Sequence, residues 1–294
     1  MQEVYRVFLF VLTNFFELSV NALLAFMENA PALVVAIAFL ICWIGCWLPL
    51  VTILGILLNW QPTKFLQPEQ KIPLLVSLYI LAPLVLWGVS SLVNRSFLDY
   101  GFVVNLSIVK SLAIGFGLGV LSLVVVFIGE FGLGWCSFEN SNLKLVLPIL
   151  LPIFSIALFV GGIEELIFRG FFLTELLQDY PVWLAAIISS LIFAVLHLVW
   201  EQRETAPQLP GLWLMGMVLV LARFADGGNL GLAWGLHAGW VWAIATIDTA
   251  ELITYTGKVS DWFTGKNKKP LAGLAGIICL LGTGIMIWFL SKYF

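Results

Sequence analysis

Residues 31–59 contain no Asp, Glu, Lys or Arg, a run long enough to cross a hydrocarbon layer ~30 Å thick. A chain inside lipid must satisfy its own backbone donors and acceptors, so such a run is a helix unless it belongs to a closed barrel. The uncharged runs 72–94, 181–200 and 271–290 repeat the pattern. Only 11% of the 294 residues are charged, against roughly 25% in an ordinary soluble domain. The period-two alternation of a membrane barrel is absent. These features predict an all-α fold, a polytopic transmembrane helical bundle of about eight or nine membrane helices.

Taken in order, the predicted helices cover 6–27, 31–59, 72–94, a segment ending near 129, 154–177, 181–200, 211–224, 229–248 and 271–290. The first is diluted by Asn14, Glu17 and Asn21 and can span or lie in the interface. It reads as a retained helix, since no small-residue cleavage site follows it. A proline-bearing linker, 60–71, follows the second helix, and Pro148 and Pro152 predict a kink before the fifth. Asp179-Tyr180-Pro181 is a turn with proline set to start the next helix. No repeat is visible, so residues 1–294 are expected to form a single integral membrane domain whose motif-bearing core is about 143–250. Most of the Lys and Arg, from Lys64 and Lys71 to Lys266–Lys269, fall on one side of the predicted spans. That asymmetry predicts a multi-pass protein with its N-terminus on the cytoplasmic or equivalent side.

The net charge is −3 with no basic patch, which excludes nucleic acid as a partner. Membrane lipids and a peptide or membrane-protein substrate are the partners expected. Cys42, Cys46, Cys136 and Cys279 are dispersed and read as small core residues. The 13 Trp and 23 Phe read as core and interface belt, with no cofactor implied.

Against that apolar background stands the segment 161–177, which carries Glu164, Glu165 and Arg169. Charge at membrane depth costs several kcal/mol per group, so it is kept where it is paired or used. Glu165 and Arg169 stand at i,i+4 with the acid first, the better orientation for an ion pair. Glu164 lies about 100° round the helix and need not share that partner. The chain's two histidines, His197 and His237, also lie in apolar helices. Helix arithmetic sets Glu164 and His197 level, roughly 20–24 Å from the hairpin turn near residue 180, and His237 a turn or two shallower. Singly, each reads as a structural polar residue bridging helices; together they read as a site. A carboxylate facing an imidazole can hold a water and take its proton, and a second imidazole can donate to an oxyanion. The same three side chains, Glu164, His197 and His237, can alternatively bind zinc as a His₂Glu set. No H-E-x-x-H helix is present, so zinc has no motif of its own here.

These residues resemble the motifs of the CAAX-protease and bacteriocin-processing family of intramembrane peptidases, also called Abi or CPBP. Its EExxxR pattern is similar to Glu164-Glu165 to Arg169, its FxxxH pattern to Phe193–His197, and its HxxxN pattern begins at His237. The resemblance covers about 155–250 and implies a glutamate-dependent peptidase without a metal cofactor. It implies that Glu164 and His197 activate the water, that His237 supports the oxyanion, and that Glu165 with Arg169 shapes the site. Eukaryotic members remove the C-terminal tripeptide of prenylated proteins. Bacterial ones are linked with bacteriocin maturation and self-immunity, and plastid and cyanobacterial ones with membrane biogenesis. Val241 departs from the pattern, standing where the family has Asn. Loss of one oxyanion donor costs about 10²–10³ in rate. Weak activity, an altered substrate and a non-catalytic scaffold or assembly factor are the three outcomes that departure leaves open.

Overall fold

A computed structural model describes residues 21–22, 25, 29–60, 67–92, 95–199 and 202–292. The first predicted helix, 6–27, therefore lies almost entirely outside the described residues. The chain divides into two compact units, Met1–Asp99 and Tyr100–Phe294.

In the first unit, α1 (Ala32–Leu57) packs on α2 (Pro68–Leu92). Two indole N–H groups of α1 tie the pair. Trp43 Nε1 donates to the Leu78 carbonyl at 3.0 Å and Trp47 Nε1 to Ser77 Oγ at 2.9 Å. Away from water these bonds face no solvent competition, and they fix the register of two otherwise greasy cylinders. The second helix begins at Pro68, four residues before the uncharged run, because Pro68 suits a first turn that needs no N–H.

The second unit contains α3 (Leu106–Gly132), α4 (Leu143–Glu164), a π-helical segment (Glu165–Phe172), α5 (Leu173–Asp179), α6 (Val182–Leu196), α7 (Leu209–Ala225), α8 (Gly231–Thr249) and α9 (Leu274–Leu290). Six of the described helical stretches are long and apolar enough to cross a membrane, one of them running unbroken from Asn140 to Asp179. The shorter α9 is apolar as well. Outward faces carry Val125, Ile128, Leu147, Leu151 and Ile285, a surface that lipid solvates and water would not. Pro148 and Pro152 fall inside α4, so the stretch 143–153 joins the predicted fifth helix and does not stand apart from it. A short antiparallel ribbon, Cys136–Phe138 with Ile253–Tyr255, links the ends of α3 and α8; sequence periodicity gave no sign of it, since three-residue strands are too short for a period to register. Among the cysteines, Cys136 and Cys279 are buried, whereas Cys42 and Cys46 are exposed on α1 and face outward, contrary to the core placement expected of all four. Two cysteines one turn apart share a helix face, and on α1 that face is exposed.

The crossing of α3 and α8 positions the site. Gly231, Gly235 and Gly239 recur every four residues on one face of α8 and lie against the α3 backbone at Ile108, Leu112 and Phe116, while Gly115 and Gly119 of α3 lie against the α8 backbone at Leu232 and Leu236. A Cβ on Gly235 would stand 2.0 Å from the Leu112 carbonyl oxygen, and one on Gly115 2.3 Å from that of Leu232. Small residues at such a seam let the backbones touch, which is the main source of helix association in lipid. Trp234 and Trp242 then pin α8 to α4 from the other side, donating to the Leu158 and Leu150 carbonyls at 2.8 and 3.0 Å. Gly235→Ala is expected to cost about 1–3 kcal/mol by overpacking. Gly282→Ala, where a Cβ meets nothing within 4 Å, should be silent. Thermal unfolding of the two variants in detergent checks this, and equal melting temperatures would refute the close-contact account.

Candidate active site

The helix that starts as α4 changes register at Glu165. From there to Phe172 the backbone is π-helical, and Leu173 N–H reaches back five residues to the Phe168 carbonyl. Such widened turns occur mostly as short insertions at functional sites. Here the insertion holds Glu165 and Arg169, both completely buried, while Glu164 sits at its mouth and is 6% exposed.

Glu165 Oε1 accepts from Arg169 Nη1 at 3.0 Å and from His237 Nδ1 at 2.8 Å. Because that carboxylate is already the partner of a guanidinium, the proton on the contact belongs to His237 Nδ1. The other ring nitrogen, His237 Nε2, lies 3.6 Å from Glu164 Oε2. The angular offset between adjacent glutamates leaves Arg169 to Glu165, as expected, and sets the two carboxylates on either side of one imidazole. His237, expected a turn or two shallower but close enough to converge, is as near Glu164 as His197 is. Gly161 and Gly162 explain this: they let α4 approach α8 so closely that a Cβ on Gly162 would be 2.7 Å from the Trp234 ring.

His197 comes from a 3₁₀ turn that follows α6, not from within the helix. Its Nδ1 is 2.8 Å from the Phe193 carbonyl, which can only accept, so Nδ1 carries the proton. Nε2 then points to Glu164 Oε2 at 4.0 Å. That gap is too long for a direct hydrogen bond and short enough for one water to touch both. The His197 side chain is 31% exposed and that of Glu164 8%, so access to the cluster runs past His197.

Phe193 organises the apolar side of the cluster. Its ring lies under the Arg169 guanidinium at 4.2 Å and packs edge-on against His197 at 4.5 Å and His237 at 6.0 Å. A cation over an aromatic face in a desolvated site gains about 2 kcal/mol. Sequence reading had quoted Phe193 only as a motif position.

Two features escaped the sequence reading. Arg223, in the last turn of α7, donates through Nη1 to the Arg169 and Gly170 carbonyls and through Nη2 to Thr174 Oγ1 at 3.0 Å. The sole signal was one basic residue in an otherwise apolar helix. Ser189 Oγ similarly donates to the Phe168 carbonyl at 2.8 Å. Val241, one turn beyond His237, lines an apolar cavity of about 140 Å³ with Leu123, Met215, Trp240, Ile244 and Leu280. An amide placed there meets mostly carbon, so Val241→Asn is expected to cost about 1–3 kcal/mol and to leave catalysis unimproved. Calorimetry and a cleavage assay on the variant check this; a large gain in rate would show that the side chain at 241 faces the site.

Among the described residues no group of three or more His, Cys, Asp or Glu side chains is arranged to hold a metal ion. The nearest candidate set for zinc is Glu164, His197 and His237, the residues named from the sequence.

Fold and site together define a polytopic helical membrane protein with a buried glutamate–histidine cluster. More particularly, residues 145–243, about a third of the chain, match the family model described as type II CAAX prenyl endopeptidase Rce1-like, and this segment is consistent with a CPBP-type membrane protease. The chain is also 31% identical over 122 residues to an uncharacterized 24.3 kDa protein of Escherichia coli, a stretch of 37% of this chain and 54% of that protein. It thus spans about half the length of the curated relative it matches. No solved structure matches.

Proposed function

We propose that this chain is an intramembrane endopeptidase of the CAAX-protease type that hydrolyses a peptide bond with a water held between Glu164 and His197. The observation that carries the reading is the convergence of Glu164 Oε2 with the Nε2 atoms of both histidines, at 4.0 and 3.6 Å, with the Glu164 and His237 side chains buried and His197 half-buried at the edge. Glu164 takes a proton from the water as its oxygen attacks the scissile carbonyl carbon. His197, with its Nδ1 proton committed to a backbone carbonyl, offers the Nε2 lone pair that orients the water's second hydrogen. His237 in its doubly protonated form donates from Nε2 to the oxyanion, while Glu165 and Arg169 fix its ring from behind. Collapse of the tetrahedral intermediate breaks the C–N bond, and Glu164 returns the proton to the leaving amine. The substrate is a peptide or membrane protein, entering from the His197 side. Residues 1–294 act as one membrane domain with the N-terminus on the cytoplasmic or equivalent side.

No cofactor has a part in this reading. Incubation with 1,10-phenanthroline or EDTA, followed by a cleavage assay, is expected to leave the rate unchanged. Loss of activity restored by zinc would replace the water-activation scheme with the Glu164/His197/His237 zinc centre.

Val241 favours a second reading, a non-catalytic membrane scaffold or assembly factor that uses the same cavity to bind a partner helix. Full rescue of a deletion strain by the Glu164→Gln variant would select it.

A further inference from the structure

We infer that Arg223 is a positioning residue for this site, holding the π-helical register of Glu165–Phe172 and the start of α8 in one fixed relation. The argument begins with the backbone. Where a helix returns from i+5 to i+4 bonding, one carbonyl is passed over. Leu173 N–H bonds the Gly170 and Phe168 carbonyls, so the carbonyl between them, that of Arg169, is the one it passes over. A carbonyl stranded at membrane depth is strongly unfavourable, because lipid offers it no donor. Arg223 Nη1 donates to that oxygen and at 3.4 Å to its neighbour on Gly170, and Nη2 donates to Thr174 Oγ1. The guanidinium thus supplies the donor that the altered register lacks.

Its Nε–H faces the other half of the site. Arg223 Nε gives a bond of 3.1 Å to the Gly228 carbonyl, in the turn that leads into α8. The adjacent Asp226 carboxylate accepts from Leu232 N–H at 3.1 Å and from Ser111 Oγ at 2.6 Å, fixing where α8 begins. Arg223 therefore ties the segment carrying Glu165 and Arg169 to the helix carrying His237. The bond that spans those two elements inside the site is Glu165 to His237 Nδ1. The planar fork of arginine matches this set of divergent acceptors, which a lysine ammonium cannot span.

This inference rests on the proposed reading of the cluster, but its test has an arm that needs no enzymatic turnover. The chain has two histidines, so ¹⁵N-histidine labelling of untagged protein in detergent yields two imidazoles, assigned with His197→Gln. In Arg223→Gln the Nδ1 resonance of His237 is expected to move, with the His197 signals nearly preserved and the melting temperature lowered by the loss of the donor to the Arg169 carbonyl. In vesicles of phosphatidylcholine with a farnesylated peptide as probe, kcat should fall on the order of 10²-fold, the cost of a small misplacement. KM should stay nearly constant, as for a group acting at the transition state. Arg223→Lys, which keeps one donor for the Arg169 carbonyl, should recover part of both. A folded Arg223→Gln protein with unmoved His237 signals overturns the inference. If that variant fails to fold, Thr174→Val, which removes only the Nη2 acceptor, decides instead: a shifted His237 supports coupling, an unmoved one refutes it. Wild-type protein that cleaves nothing defeats the proposed function while leaving the resonance result to judge Arg223.

Discussion

Glu164→Gln is expected to abolish hydrolysis, lowering the rate by the 10²–10⁴-fold typical of a lost general base or more, with the fold intact. The amide matches the carboxylate in size and keeps an acceptor near both Nε2 atoms, so packing at this 6%-exposed position is preserved. What disappears is the ability to take a proton from water. The same exchange at Glu165 is different in kind. Its carboxylate accepts from Arg169 and His237 together, so Glu165→Gln leaves a guanidinium buried without its counter-charge and should lower stability as well as rate. Single-turnover cleavage of a prenylated peptide, read beside the melting temperature, separates the two. A Glu164→Gln protein that cleaves at more than a tenth of the wild-type rate would end the water-activation scheme. His197→Gln gives the companion result, since it removes the Nε2 lone pair at the exposed edge of the cluster.

How much of this was legible in the sequence depends on the range of the physics involved. Uncharged runs report helices directly, because lipid leaves the backbone no alternative, and α1, α6, α8 and α9 lie within a few residues of their expected bounds. Charged residues in apolar runs report candidate positions for the same reason, which is how Glu164, Glu165, Arg169, His197 and His237 stood out before any coordinates. Their mutual arrangement was not legible. It depends on the switch to π register at Glu165, on the 3₁₀ turn that ends α6 at His197, and on glycine-mediated contact between helices far apart in sequence. None of these has a local period. Arg223 does not stand out in the sequence because all but one of its partners are backbone carbonyls, and a carbonyl leaves no trace there.

Arg169→Met is expected to have the largest effect on stability. The guanidinium is wholly buried, bonds Glu165 at 3.0 Å and lies 4.2 Å from the Phe193 ring centre. Methionine fills comparable space but leaves the Glu165 charge in a medium that cannot solvate it. Breaking one side of a buried pair costs about 3–5 kcal/mol, whereas replacing both partners with uncharged groups of similar shape is often nearly neutral. The double variant Glu165→Gln/Arg169→Met should therefore recover most of the stability lost in Arg169→Met alone. Under the proposed scheme it should not recover activity, because His237 Nδ1 would then face a neutral amide and the ring would lose the carboxylate that holds it. Denaturant unfolding in mixed micelles for wild type, both single variants and the double variant yields the coupling energy directly. If the double variant is as unstable as the sum of the singles, the pair is not what holds this part of the bundle. The role of Arg169 would then lie in its stacking on Phe193, a contact that methionine partly keeps and alanine does not, so Arg169→Ala would separate from Arg169→Met.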